Sequence, residues 1–257
     1  MRRRLIIRLG VALMGVLDRI LVRCSRLGDP ARFDTADFPW AAELERNSAL
    51  IRREAEEILR DAANVPPLRR ISEDHEKIAI DDKWRSFFLW AYGIRVDDNC
   101  RRCPQTAALL ERIPGLQTAL FSILAPGTHI PLHNGATKAI LTGHLGLCVP
   151  RQRQRCRINV DGKDYAWREG ELFVFDDMRM HEVWNDTDEY RVTLMMHVTR
   201  PLRFPGSVLA DGIIALIRKS PFVQDAHSRL ERWTGRSLAD PPQLVDVSPL
   251  DELRPHQ

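Results

Sequence analysis

Short apolar runs separated by turn residues make up the chain between residues 117 and 198. Runs this short, with apolar and polar positions alternating, predict β-strands, because consecutive side chains of a strand face opposite sides of a sheet. Asp161 and Gly162, between two such runs, are the strongest hairpin signal. Many short strands at regular spacing predict a double-stranded β-helix of the jelly-roll or cupin-like type. The predicted strands cover residues 119–124, 139–149, 157–160, 163–167, 172–175 and 190–198.

Helical spacing of apolar residues flanks this region, so the predicted fold class is α+β with N-terminal and C-terminal helices. One helix is predicted over residues 38–63, ended by Pro66 and Pro67, and a short one over residues 104–112. Aromatic side chains concentrated between residues 84 and 92 are interpreted as core, with the lining of a substrate groove as the alternative.

The C-terminal part of the chain predicts two further helices. Ser207 is a candidate N-cap for a helix that runs to about Lys219, and a second helix is expected before Trp233. The tail from residue 240 is expected to be loosely ordered. The predicted domains are an amphipathic helix within residues 1–30, a main domain over residues 31–205 whose first part is helical, and a helical extension over residues 206–257.

Near the N-terminus, three arginines at residues 2–4 precede an apolar stretch over residues 5–22. Charged residues at positions 8, 18 and 19 interrupt the stretch, so a helix that spans a membrane is not predicted. On a helical wheel, cations flank a broad apolar face. That face suits either peripheral contact with an anionic membrane through residues 1–23 or packing on the protein itself, and the sequence leaves both interpretations open.

Charge and cysteine content bear on whether the protein binds nucleic acid and on the compartment in which it works. The net charge of +3 arises from Lys and Arg spread along the chain, so no nucleic-acid partner is predicted. Five cysteines without regular spacing form no disulfide framework, which predicts a cytoplasmic protein, peripheral to the membrane if its N-terminal helix contacts lipid. Cys100 and Cys103 form a lone CxxC and are interpreted as structural cysteines.

Two histidines stand at the edges of apolar segments, His133 in THIPLHNGATK and His181 in FVFDDMRMHEVW. A jelly roll brings such strand ends to one mouth of the barrel, where two imidazoles suit divalent iron. A lone histidine on a strand is more often an ordinary, partly buried residue, so the prediction depends on the pair. Arg191, ten residues beyond His181, can return to the level of the metal and hold a carboxylate of a keto diacid.

These segments resemble the aspartyl/asparaginyl β-hydroxylase family, which also includes bacterial lipid A acyl-chain hydroxylases. The resemblance runs from about residue 84 to residue 205 and is strongest in HNGATKAILTGHLGLCVP and EGELFVFDDMRMHEVW. It implies an iron(II)- and 2-oxoglutarate-dependent dioxygenase with His133, His181 and Arg191 as its catalytic residues. The residues that it assigns to ligands are His133 and His181 for iron(II), and Ser122, His144 and Arg191 for 2-oxoglutarate.

The implied reaction is the hydroxylation of an unactivated carbon by O2, coupled to decarboxylation of 2-oxoglutarate to succinate, with ascorbate as an added reductant. The substrate stays open. The β-hydroxylase branch implies an aspartyl or asparaginyl side chain in a peptide or a free amino acid, whereas the apolar terminal helices favour a lipid acyl chain. The alternative function is a non-catalytic cupin-like barrel that binds a metal or ligand at a membrane surface.

Position 135 bears on the metal site. Many iron oxygenases carry a carboxylate ligand two residues after the first histidine, and here that residue is Gly135. The β-hydroxylase branch also has glycine there and completes the metal shell with water, whereas the lipid A branch carries aspartate. By this residue the chain resembles the β-hydroxylase branch.

Position 142 departs from both branches. The family commonly has an arginine there that grips the co-substrate, and this chain has Thr142. Its loss removes a charge-assisted contact worth about 1.5–3 kcal/mol. Lys138 is a candidate replacement if the strand bends.

Three residues near His181 allow two interpretations each. Asp176 and Asp177 either accept hydrogen bonds that orient His181 or end a strand and begin a turn. Trp184 is either a packing residue or the wall of a pocket.

Overall fold

A computed structural model of the chain describes residues 14–60 and 65–239. Its helices are α1 (residues 14–24), α2 (Ala41–Arg46), α3 (Ser48–Arg60), α4 (Leu68–Ile71), α5 (Asp97–Arg102), α6 (Pro104–Leu110), α7 (Gly206–Arg218) and α8 (Pro221–Ala239). Its strands are β1 (Arg32–Phe33), β2 (Trp84–Ala91), β3 (Ile94–Arg95), β4 (Leu116–Leu124), β5 (Thr128–His133), β6 (Ile140–Cys148), β7 (Cys156–Val160), β8 (Lys163–Ala166), β9 (Leu172–Phe175), β10 (His181–Asn185) and β11 (Arg191–Thr199). Short 3-10 helices lie at Thr35–Asp37, Glu73–Lys77 and Arg153–Arg155.

Two antiparallel sheets form the core of the molecule. The large sheet has the strand order β1-β9-β6-β11-β4-β2-β3, and the small sheet has the order β5-β10-β7-β8. Their apolar side chains meet in one cluster, in which Phe173 and Phe175 of the large sheet join Ile158 and Val183 of the small one. With helices at both ends of the chain, this confirms the predicted α+β fold with a jelly-roll core.

The six strands predicted from the sequence are all present, with shifts of a few residues at their ends. Asp161 and Gly162 have φ angles of 54° and 81°, which the two-residue hairpin between β7 and β8 requires. The pattern misses β1, β2, β3, β5 and β10. β2 is buried along almost its whole length and so lacks alternation, and β5 is an edge strand that contains Pro131.

The helix expected over residues 38–63 is wrong in one respect, because two helices take its place. α2 ends at Asn47, whose side-chain amide donates to the carbonyl of Glu43 at 2.8 Å. An amide side chain that satisfies a carbonyl of the last turn competes with continuation of the helix. α3 then packs Ile51, Ala55 and Ile58 against the outer face of the large sheet.

The aromatic cluster before β3 is core, as predicted. Trp84, Phe87, Phe88 and Trp90 are all buried. The helix expected over residues 104–112 is present as α6, and the sequence pattern misses the shorter α5 before it.

The described part of the N-terminal helix packs its apolar side on the protein. Leu21 is fully buried in a cluster with Ala210, Ile213 and Ile214 of α7. This side of α1 is therefore packed on the protein. Residues 1–13 lie outside the described residues, and membrane contact through residues 1–23 stays a prediction. Within residues 14–60 and 65–239, no helix has the length and hydropathy needed to cross a membrane.

The two C-terminal helices differ from the sequence prediction at their ends. Ser207 does not cap α7, because the helix begins at Gly206 and no side chain caps it. α8 continues through Trp233 instead of ending before it. The expectation for the tail from residue 240 lies outside the described residues, and the three domain boundaries stay predictions.

Candidate active site

His133 and His181 lie side by side at one end of the small sheet. His133 ends β5, His181 begins β10, and the two residues are direct partners in the antiparallel ladder. Their ring centroids are 4.0 Å apart. Strand register thus brings together the two residues that the sequence predicts as iron ligands.

Main-chain carbonyl groups hold both imidazoles in the same tautomer. Nδ1 of His133 lies 2.7 Å from the carbonyl oxygen of Pro131, and Nδ1 of His181 lies 2.9 Å from that of Arg179. Because a carbonyl only accepts, Nδ1 donates in each ring and Nε2 keeps a free lone pair. Burial lowers the pKa of His133, and burial together with the charge of His133 lowers the pKa of His181 to about 4. Both rings are neutral near pH 7, which is the form that binds a metal.

Within residues 14–60 and 65–239, no third protein ligand joins this pair. Among the described residues, no group of three His, Cys, Asp or Glu side chains is arranged to hold a metal ion. A Cβ atom added to Gly135 would lie 2.5 Å from Cγ of Asp177. The carboxyl group of Asp177 therefore fills the space that a ligand side chain at position 135 would use.

The carboxyl group of Asp177 is only half satisfied. Its Oδ2 accepts a hydrogen bond from the hydroxyl of Thr142 at 3.1 Å, while Oδ1 is buried without a partner. Burial and the neighbouring charge of Asp176 raise the pKa of Asp177 to about 7. An unpartnered, buried carboxyl oxygen beside the histidine pair can accept a hydrogen bond from a water molecule.

The barrel interior continues from the histidine pair to His144. The ring centroid of Phe175 lies 5.3 Å from that of His181 and 5.5 Å from that of His144. Nε1 of Trp167 donates to Nδ1 of His144 at 3.2 Å. Burial lowers the pKa of His144 well below its ordinary value, so the ring is neutral and its single proton sits on Nε2. That Nε2 is buried and has no acceptor.

Arg191 is a buried cation without a carboxylate partner. It begins β11, and its guanidinium carbon lies 4.6 Å from the ring centre of Trp167. One terminal nitrogen donates to the hydroxyl of Thr193 at 2.7 Å, while Nε is buried without an acceptor. Burial lowers the pKa of Arg191 to about 10, and within the described part of the chain no carboxylate offsets it. The side chain is still charged near pH 7.

Strand pairing places Ser122 next to Thr193, the residue that accepts a hydrogen bond from Arg191. Ser122 is the direct partner of Thr193 between β4 and β11. Its hydroxyl oxygen accepts a hydrogen bond from Nε1 of Trp84 at 3.0 Å, which leaves the hydroxyl proton for another acceptor. The residues predicted for the co-substrate, Ser122, His144 and Arg191, therefore share the barrel interior.

Neither His197 nor Lys138 supplies a cation in place of the missing family arginine. Thr142 is paired across β6 and β11 with His197, and burial lowers the pKa of His197 to about 4, so that ring is neutral. The expectation that Lys138 replaces the arginine is wrong. Nζ of Lys138 is bound by Asp29 at 2.8 Å and by the buried Asp176 at 2.6 Å, and so is held away from position 142.

The contacts of Asp176 and Trp184 bear on the two interpretations that the sequence allows for each residue. Asp176 does not orient His181, because its carboxylate binds Arg200 at 2.5 Å and the carbonyl groups described above hold the imidazole. Trp184 stacks on the ring of His129 at 5.5 Å between centroids. It therefore packs on the outer face of the small sheet, in agreement with the packing interpretation.

Similarity to known proteins agrees with this geometry. The family profile described as aspartyl/asparaginyl β-hydroxylase matches residues 45–201. The chain is 36% identical over 233 residues to an ornithine lipid ester-linked acyl 2-hydroxylase of Rhizobium tropici, a match that covers 91% of this chain and 83% of that protein. The chain belongs to the aspartyl/asparaginyl β-hydroxylase family.

Other relatives are matched over a smaller part. The human aspartyl/asparaginyl β-hydroxylase is 35% identical over 163 residues, which cover 62% of this chain and 21% of that protein. Among solved structures, a Pseudomonas putida prolyl-4-hydroxylase aligns with a TM-score of 0.37 and 22% identity over 60% of this chain and 87% of that chain. This chain is therefore a member of a hydroxylase family whose relatives have different substrates in their names.

Two residues of this site were not singled out by the sequence. Thr193 shares a face with Arg191 two positions away, so strand alternation is a signal that finds it. Trp167 directly follows β8, at the end of the predicted strand over residues 163–167. Its contact with both His144 and Arg191 follows from the fold alone.

Proposed function

We propose that this chain is an iron(II)- and 2-oxoglutarate-dependent dioxygenase that hydroxylates an acyl chain of a polar lipid. Membership of the hydroxylase family supports the reaction class. The pair of neutral histidines supports an iron site, and the unpaired donors deeper in the barrel support a dicarboxylate co-substrate.

The observation that carries the proposal is the set of unpaired donors around Trp167. Nε2 of His144 and Nε of Arg191 are both buried without an acceptor, and the indole ring contacts both side chains. A buried donor without an acceptor costs about 1–3 kcal/mol, and a buried charge without a partner costs more. An anion that binds between them removes both penalties. A carboxylate of 2-oxoglutarate fits this need, with Arg191 as its counter-ion.

Iron(II) would be held by Nε2 of His133 and of His181. When bound, the metal supplies the activation of O2 and the oxidation of the substrate carbon. The protein contributes orientation, because the carbonyl groups of Pro131 and Arg179 fix both rings. Oδ1 of Asp177 would accept a hydrogen bond from a water molecule that completes the metal shell.

A lipid acyl substrate is proposed from the extent of the similarity and from the surface around the site. The relative named as an ornithine lipid acyl hydroxylase matches most of both chains, whereas the human β-hydroxylase is matched over about a fifth of its length. Leu132 and Met180, which directly precede the two histidines, are both exposed. Apolar side chains at the rim of the site suit an apolar substrate.

An aspartyl or asparaginyl substrate is the second candidate. Gly135 favours it, because the resemblance to the β-hydroxylase branch includes glycine at this position, and Asp177 leaves no room for another residue there. This candidate predicts hydroxylated peptides or free amino acids in place of hydroxylated lipid.

The proposed location is the cytoplasm. All five cysteines are free thiols, and four of them are buried. Burial raises the pKa of Cys100 to about 11 and that of Cys103 to about 12, so neither thiol is poised for redox chemistry. Free cysteines of this kind suit a reducing compartment.

The proposal is tested by succinate release from 2-oxoglutarate with iron(II), O2 and ascorbate. We expect turnover that requires iron and disappears in the His133→Ala, His181→Ala double variant. His129→Ala is the matched control, because His129 lies on the same strand β5 but faces outward against Trp184 and Glu182. That variant should keep the activity of the unmodified chain.

Mass spectrometry with ornithine lipids and with aspartyl peptides then separates the two substrate classes by which one gains an oxygen atom. If the chain binds neither iron nor 2-oxoglutarate, the dioxygenase proposal is overturned in favour of the non-catalytic cupin-like barrel. Thr142 in place of the family arginine would then be the reason.

A further inference from the structure

Exposed apolar side chains occur on the outward sides of α1 and α7 and in the loop before α7. Four of them are Phe204 at 81%, Leu216 at 73%, Val208 at 62% and Val16 at 48% exposure. We call this set the α1–α7 surface. Large apolar side chains that water covers in this way mark a contact with a partner or a membrane when they lie together.

The inner sides of α1 and α7 are already buried in an apolar cluster. Leu21 of α1 is packed against Ile213 and Ile214 of α7, and Ala139 at the start of β6 joins the cluster. The exposed residues are therefore not the core-facing stripe of these helices but a second apolar face. On α7, Val208, Gly212, Ala215 and Leu216 fall on one side at helical spacing, and all four are exposed.

Cations border the α1–α7 surface. Val16, Arg19 and Arg23 form the outward stripe of α1, Arg203 precedes Phe204, and Lys219 follows α7; all of them are exposed. Within residues 14–60 and 65–239, none of these four cations forms an ion pair. Asp211 is the acidic residue that α7 exposes beside them. Apolar side chains with unpaired cations at their border match the headgroup region of an anionic leaflet.

The α1–α7 surface is attached to the loop that follows His133. Oδ1 of Asp18 on α1 accepts the main-chain N–H of Lys138 at 3.1 Å, within the loop between β5 and β6. The N–H of Arg203 donates to the carbonyl of Cys24 at 2.8 Å, which fixes the loop before α7 to the end of α1. A membrane that binds this surface is thus held close to the strand that carries the first histidine.

We infer that the α1–α7 surface is a docking site for an anionic lipid bilayer, with Phe204 and Leu216 inserted among the lipids and Arg19, Arg23, Arg203 and Lys219 at the headgroups. It rests on exposure and charge alone, and its test needs neither iron nor 2-oxoglutarate. Failure of the lipid-binding site and failure of the proposed hydroxylase activity are therefore distinguishable.

The experiment is co-sedimentation of the full chain with vesicles of phosphatidylcholine alone or mixed with phosphatidylglycerol. We expect binding to the anionic vesicles, weaker binding to neutral ones, and weakening by salt. The Phe204→Glu, Leu216→Glu double variant should lower the partition coefficient at least about tenfold. The control is Ile80→Glu, which changes an apolar residue that is 56% exposed in the segment before β2. Equal melting temperatures show that both variants fold.

Three results would overturn the inference. One is the absence of vesicle binding by the unmodified chain, and another is undiminished binding by the Phe204→Glu, Leu216→Glu variant, which would assign the contact to another segment. The third is a dimer of the unmodified chain in the absence of lipid that the double variant abolishes, which would make a second copy of the chain the occupant of this surface.

Discussion

The carboxyl group of Asp177 occupies the volume that any side chain at position 135 would need. A Cβ atom on Gly135 would lie 2.5 Å from Oδ1 and 2.7 Å from Oδ2 of Asp177, and the N–H of Gly135 donates to the main-chain carbonyl of Asp177 at 2.7 Å. The glycine two residues after His133 and the carboxyl group of Asp177 thus form one arrangement.

Gly135→Ala should therefore destabilise the chain by about 1–3 kcal/mol, the usual cost of overpacking. In an Asp177→Ala background the same change should cost much less, because the colliding carboxyl group is gone. Urea unfolding of the two single variants and the double variant measures the difference. Gly212→Ala is the control, because a Cβ atom there meets nothing within 4 Å. An equal cost of Gly135→Ala in both backgrounds would show that the two residues do not compete for space.

Arg191→Met should separate binding of the co-substrate from folding. Removing a buried charge that has no carboxylate partner should leave the free protein at least as stable as before. 2-Oxoglutarate at about one hundred times its dissociation constant should stabilise the unmodified chain by about 2.7 kcal/mol. That stabilisation should vanish in Arg191→Met and persist in Arg60→Met, which changes an exposed arginine at the end of α3. Thermal melting with and without 2-oxoglutarate gives both quantities, and an undiminished shift in Arg191→Met would place the anion elsewhere.

The β core could be predicted from the sequence because its signals are local. The hairpin at Asp161 and Gly162 needs only two residues with positive φ, and the strand before it alternates. β2 escaped prediction because burial on both faces removes alternation, and the break at Asn47 escaped because a single side-chain hydrogen bond decides it. The rest of the pattern predicted one continuous helix there.

The sequence predicts those residues of the site that can be located one by one at strand ends. His133, His181 and Arg191 stand at strand ends, where topology brings them to one barrel. The ionic contacts of Lys138 were beyond sequence reasoning, because Asp29 and Asp176 lie far from it along the chain and meet it only after folding.

Asp176→Asn should be strongly destabilising. The carboxylate is fully buried and binds both Lys138 and the fully buried Arg200. Its loss leaves buried cations without compensation, which costs about 3–5 kcal/mol. Asp82→Asn is the matched control. Asp82 binds Arg69 and Arg70 at the surface, where the cost should be about 0–1 kcal/mol. Urea unfolding at pH 7 compares them, and similar losses in the two variants would contradict the buried-cluster interpretation.

Asp29 should make the stability of the fold depend on acidity. Burial opposes its ionisation, but the hydrogen bond from Lys138 and the charges of Lys138, Arg179 and Arg200 prevail and lower its pKa below the ordinary 3.8. The unfolded chain therefore holds this proton more tightly than the folded chain does. Stability from Asp29 is fully present above about pH 5 and is lost as the pH falls through the folded-state value.

Asp29→Asn should accordingly lower stability at pH 7 and flatten its fall below about pH 5. The measurement is the urea midpoint of the unmodified chain and the variant between neutral and acidic pH. Asp225→Asn, which changes an exposed residue of α8, should leave both the midpoint at pH 7 and the slope unaltered. If Asp29→Asn and the unmodified chain lose stability in parallel on acidification, the ionised carboxylate does not help to hold Lys138 and Arg179 in place.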